Sequence, residues 1–230
     1  MPAPFSESQI VYEDNHLIII NKLPSQIVQG DKTGDLCLAD LIKEYLKRKY
    51  NKPGNVFCGV VHRLDRPVSG LVIFAKTSKA LSRLNEQIKR HEVRKTYWAV
   101  VKNAPPKPDD TLTDYLIRNE KQNKSYVVKA GTAEAKEAIL HYRTLAQSSG
   151  GYYLLEVDLQ TGRHHQIRAQ LSHMGCPIKG DLKYGFPRSN PDGSISLHAR
   201  RVEFEHPVRK EHMQFEADVP KGSVFEVFGE

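Results

Sequence analysis

The stretch V-H-R-L-D-R-P-V-S-G-L-V-I-F-A-K, residues 61–76, places one carboxylate, Asp65, between Arg63 and Arg66 just ahead of an apolar run. An acid in that setting is either one charge of a self-neutralising loop or a reactive carboxylate held ionised among cations. A second stretch, T-G-R-H-H-Q-I-R-A-Q-L-S-H-M-G at 161–175, holds the other dense set of reactive side chains. Read as a helix from His164, it puts Ile167, Leu171 and Met174 on one apolar stripe, with Arg168 beside that stripe. A guanidinium so placed requires a carboxylate, because an unpaired buried cation is very costly. Asp65 is a candidate partner, and pairing would keep its carboxylate charged at neutral pH.

Other chemistries find less support. His164, His165 and His173 have no acidic ligand at matching spacing, and adjacent histidines on a helix point different ways. Ser69-Gly70 lacks the Gly-x-Ser-x-Gly elbow of a serine hydrolase. With no glycine-rich phosphate loop and no Cys-x-x-Cys, the sequence implies no cofactor and no metal. Cys37, Cys58 and Cys176 are odd in number and widely spaced, which points to small buried hydrophobes in a reducing cytoplasm. No run approaches the roughly 18 apolar residues of a membrane span, and the first residues lack the pattern of a signal peptide. Lys plus Arg exceed Asp plus Glu by 34 − 27 = 7, an excess that suits a polyanion, most simply RNA.

The elements that must position these residues follow from periodicity. His16–Asn21 reads as a strand, residues 36–50 as an amphipathic helix, and 56–61 and 71–76 as strands flanking the Asp65 stretch. Ser78 is the expected N-cap of a helix reaching about His91. Lys95–Lys102 is rich in β-branched and aromatic residues and reads as a strand. Further strands are expected at 112–118, 125–129, 152–159 and 197–204. Residues 135–145 are ambiguous and lean to strand, and a short helix follows Thr161-Gly162-Arg163. Strands outnumber helices and succeed one another as hairpins, so the expected fold is α+β with a mostly antiparallel twisted sheet.

Taken together, H-R-L-D-R-P-V-S-G-L at 62–71 resembles the signature of the RluA-type pseudouridine synthases. Three more stretches resemble that family in its own order: E-D-N-H-L-I-I-I-N-K-L-P at 13–24, R-K-T-Y-W-A-V-V at 94–101, and T-G-R-H-H-Q-I-R-A-Q-L with G-D-L-K-Y-G within 161–185. Pro67-Val68 replaces an acid and a threonine common in the family, and Cys176 replaces a common histidine.

The resemblance implies isomerisation of uridine to pseudouridine in RNA: the N1–C1′ bond breaks, the base turns, and it rejoins through C5. It makes Asp65 the essential carboxylate, Arg168 the arginine paired with it, and Tyr97 the tyrosine lying against the uracil. Arg63 would fill the position vacated by the flipped base, a step that costs a few kcal/mol of unstacking. His62, Arg163, His165 and Lys95 join the expected RNA-binding set. The expected organisation is one catalytic domain over 1–230, with core motifs at about 10–205 and no N-terminal accessory RNA-binding domain. The chain is expected to work as a cytoplasmic monomer on ribosomal or transfer RNA, with no membrane and no obligate protein partner. Two rival readings stay open: a catalytically silent RNA-binding or ribosome-assembly protein, and an enzyme acting on free nucleosides or nucleotides.

Overall fold

The computed structural model describes residues 4–30 and 34–229. The chain forms two compact units, one of Met1–Val93 with Arg200–Asp218, the other of Arg94–Ala199 with Val219–Glu230.

The first unit is built on strand β2 (Leu17–Lys22) and strand β4 (Ser69–Ala75), antiparallel in a register running from Leu17 opposite Ala75 to Lys22 opposite Gly70. Leu17 to Ile20 and all of β4 are buried, so both faces of this pair are covered and the strands read as continuous apolar runs. Strand β1 (Ile10–Glu13) pairs with β2, and the short β3 (Gly59–Val60) with β4. Helix α1 (Leu38–Lys49) buries Leu38, Ala39, Ile42, Tyr45 and Leu46 and leaves its lysines outside. Helix α2 (Ser78–Lys89) starts one residue earlier in effect than expected, because Thr77 rather than Ser78 is the N-cap: its hydroxyl accepts the Ala80 N–H at 3.2 Å. Ala80 and Leu84 pack against Leu17, Ile19, Leu71, Ile73 and Phe204. The late strand β10 (Leu197–Glu205) forms an antiparallel hairpin with β11 (His212–Glu216).

In the second unit β5 (Arg94–Val101), β6 (Asp109–Asn119), β7 (Lys124–Val128), β8 (Lys136–Gln147) and β9 (Tyr153–Leu159) lie in the order β5-β9-β8-β6-β7, every pairing antiparallel. The ambiguous segment is strand: Ala138, Leu140 and Tyr142 are buried at a period of two. Helix α3 (Gln166–His173) begins two residues later than expected and is buried all round from Gln166 to Leu171. A helix can bury polar side chains only where each has a partner. Gln170 donates to Asp114 at 2.8 Å and to the Ala138 carbonyl at 3.1 Å, and Gln166 donates to the Ile139 carbonyl at 3.1 Å. The fold is α+β with mostly antiparallel strands, as the sequence led us to expect. Among the described residues, no helix is long and apolar enough to cross a membrane.

Candidate active site

Asp65 sits on the turn between β3 and β4, half-buried, and the turn is closed by the Val68 N–H donating to the Asp65 carbonyl at 3.0 Å. The backbone here is fastened from outside. Ser25 N–H donates to the Arg66 carbonyl at 2.9 Å. The ammonium of Lys22, at the end of β2, donates to the carbonyls of Val68 at 2.6 Å, Leu23 at 3.0 Å and Arg66 at 3.2 Å. Three acceptors match the three N–H groups of an ammonium, so a fully buried lysine clamps the segment that carries Asp65. Of the flanking arginines, Arg66 is paired with Asp35 at 2.9 Å and Arg63 is exposed. His62 accepts the Ile73 N–H at 3.2 Å through Nε2.

Nothing in the local pattern marks Lys22 as buried, because a lysine closing a strand looks like a solvated end. The only signal was its place in the quoted 13–24 motif. Burial pushes its ammonium down to about 7, the nearby Asp65 carboxylate raises it, and Arg66 lowers it. Between pH 7 and its ordinary 10.5 the unfolded chain therefore holds a proton that the folded one lacks. That linkage makes stability rise with pH over this window. In Lys22→Met the slope is absent. At the alkaline end the neutral amine keeps two N–H donors, and loss of their hydrogen bonds leaves the variant about 1–3 kcal/mol less stable. Toward pH 7 the gap narrows. Denaturant unfolding across the pH series checks this, and a gap that widens toward pH 7 refutes it.

The other expected site residues lie in the second unit. Tyr97 is buried on β5 opposite Val157, and Lys95 shares its strand face two residues away. The Lys95 ammonium lies beside Gly162, 3.7 Å from where a side chain there would begin, and burial lowers its pKa. Arg163 is exposed and donates from Nε to the Glu137 carbonyl at 2.8 Å. His165 has φ 54°, a left-handed conformation at the N-cap of α3, and its Nδ1 lies 3.0 Å from the Tyr184 hydroxyl. The rings of His164 and His165 stack with centroids 3.8 Å apart, contrary to the expectation that they diverge. They precede the helix rather than lie on it, so helical spacing does not separate them.

Arg168 has a carboxylate partner that the sequence did not reveal. Its Nε and Nη2 donate to the two oxygens of Asp181 at 2.7 and 2.9 Å, a fork-on-fork pair with both residues nearly inaccessible. Asp181 belongs to the G-D-L-K-Y-G stretch, where nothing in the local pattern marks it as the partner of Arg168.

The site residues thus form two sets. Asp65, with His62 and Arg63, stands on a lysine-clamped turn of the first unit. In the second unit Tyr97 and Lys95 stand on β5, and Arg163, His165 and Arg168 lie just before or on α3, with Lys95 reaching Gly162. The family model described as RNA pseudouridylate synthase matches residues 16–173, a span that includes all of them. The chain belongs to this family, and the RluA-type resemblance of its motifs is borne out. It is 30 % identical to a tRNA pseudouridine synthase C of Pectobacterium carotovorum, over 96 % of this chain and 62 % of that protein. It is 33 % identical to the RNA pseudouridine synthase YlyB of Bacillus subtilis, over 92 % of this chain and 69 % of that one. The chain spans about two thirds of the length of these relatives. In fold it is similar to human RNA pseudouridylate synthase domain containing 4, with a TM-score of 0.78 and 24 % identity, covering 93 % of this chain and 89 % of that one.

Proposed function

We propose that this chain isomerises uridine to pseudouridine at defined positions of structured RNA, ribosomal or transfer RNA, as a cytoplasmic monomer. Asp65 is the reacting carboxylate and Arg168 its guanidinium partner. Tyr97 supplies the aromatic face on which the target base stacks, worth about 1–3 kcal/mol. Arg63 enters the RNA where the base leaves; its planar guanidinium can both stack and hydrogen-bond. Lys95, His62, Arg163 and His165 contact the flanking nucleotides. The observation that carries this reading is the Asp65 turn itself. A buried lysine spends two of its donors on the Arg66 and Val68 carbonyls beside that acid and the third on Leu23, so it braces the acid's turn while its hydrogen bonds go to backbone.

The test is nucleoside analysis of ribosomal and transfer RNA transcripts incubated with the purified protein, beside free uridine monophosphate. Pseudouridine in RNA alone supports the proposal. Product from the free nucleotide points to a small-molecule enzyme, and tight RNA binding without product points to a silent binding protein.

Salt offers a second check. If several lysines and arginines contact phosphates, log K for RNA falls linearly with log salt, by about 0.7 per contact on single strands. Filter-binding or anisotropy titrations over a salt series measure this slope. Affinity indifferent to salt argues against RNA as the substrate.

A further inference from the structure

Asp181 and Tyr184 build a holder around Arg168 that no catalytic step above requires. The guanidinium is gripped along one edge by both oxygens of Asp181 and lies over the Tyr184 ring, 5.0 Å from its centroid. Two faces of a planar cation are thereby fixed at once, its edge by charge and its plane by the ring. The holder is itself braced. The Tyr184 hydroxyl accepts the Ser125 N–H at 2.9 Å and meets His165 Nδ1 at 3.0 Å. The Ser125 hydroxyl lies 2.9 Å from His164 Nδ1 and donates to the His164 carbonyl at 2.7 Å. The 3-10 turn Leu182–Tyr184 joins the two holding residues. Gly180 before it has φ 87°, and a side chain there would come within 2.8 Å of Asn190 and the Ser194 carbonyl. The turn can take this path only with glycine at 180.

We infer that Asp181 is a positioning residue for the reaction: it fixes the rotation of the Arg168 guanidinium, with Tyr184 as its floor, so that the arginine is presented in one orientation. This deepens the proposed function and rests on its assignment of Asp65 and Arg168. A buried ion pair that served stability alone would alter the unfolding midpoint, not kcat, when its carboxylate is moved. A positioning residue needs that charge at one distance.

Asp181→Glu separates the two. It keeps the charge and moves the carboxylate by one methylene. We expect a folded protein with an unfolding midpoint near that of the parent and an unchanged KM for RNA. A misplacement on this scale lowers kcat by about a hundredfold. Parental kcat in Asp181→Glu at parental stability overturns the inference, as does a loss confined to KM. If that variant does not fold, the parent protein gives a second reading by nitrogen-15 NMR of its arginine side chains. A held guanidinium shows Arg168 Nη groups in slow rotation, and free averaging of those signals overturns the inference. Asp65→Asn keeps the two levels apart. If that variant is active, the assignment of the carboxylate fails. If it is inactive while Asp181→Glu behaves as the parent, only the role of Asp181 fails.

Discussion

Asp65→Asn yields a folded protein that binds RNA and forms no pseudouridine. The turn that carries residue 65 is held by backbone contacts that the substitution leaves alone: Ser25 to Arg66, Val68 to the Asp65 carbonyl, and the Lys22 ammonium to the Arg66 and Val68 carbonyls. Asparagine is nearly isosteric and the side chain is only half-buried, so the stability change is small. What disappears is the anion, and both attack on a carbon centre and removal of a ribose proton require one. The loss in kcat is at least about 10⁴-fold, the scale seen when a residue that does the chemistry is removed. A linked effect accompanies it. Asp65 raises the proton affinity of Lys22, so without that charge the Lys22 ammonium shifts further down. Nucleoside analysis, RNA binding and denaturant unfolding on one preparation test all three parts. Turnover near the parental rate sinks the assignment of Asp65.

The frame of this molecule was legible because its central strands are nearly pure apolar runs. Leu17 to Ile20 and Leu71 to Ala75 cannot be placed anywhere but in a core, and β5 carries the β-branched and aromatic pattern of a strand. Strand β1 went unread because it buries no residue fully and its burial does not alternate cleanly. Strand β11 does alternate, Met213 and Phe215 packing against the core between exposed neighbours, but over a run of only five residues. The polar interior was the harder part. Lys22 and Asp181 are charged residues whose roles depend on partners remote in sequence: Lys22 on carbonyls 44 and 46 residues away, Asp181 on an arginine 13 residues before it. No local period encodes such pairs. Helix α3 misled for the same reason. Its apolar stripe suggested one buried face, whereas Gln166, Arg168 and Gln170 are buried as well and each meets a specific acceptor. The residues that hold Arg168 lie in the G-D-L-K-Y-G stretch, but only the packed turn gives them a task.

Arg168→Ala loses both activity and stability. In the parent, Arg168 and Asp181 neutralise each other in a site that water scarcely reaches. Removing the guanidinium strands the Asp181 carboxylate there and exposes the Tyr184 ring to a void, at a cost of about 3–5 kcal/mol. Arg168→Lys recovers little, since an ammonium can contact one carboxylate oxygen as a point charge but cannot span both. If Asp65 is the second carboxylate on the same arginine, its substitution is felt through the same group. Asp65→Ala with Arg168→Ala then costs less stability than the two single changes summed, because each single change removes the same interaction. Arg168→Ala with Asp181→Ala gives the internal standard, a pair whose contact is 2.7 Å and whose coupling must therefore appear. Both cycles are read by denaturant unfolding, and the Asp65 cycle also by kcat. Coupling in the Asp181 cycle beside strict additivity in the Asp65 cycle means that the buried arginine serves its own holder and does not pair with the reacting acid.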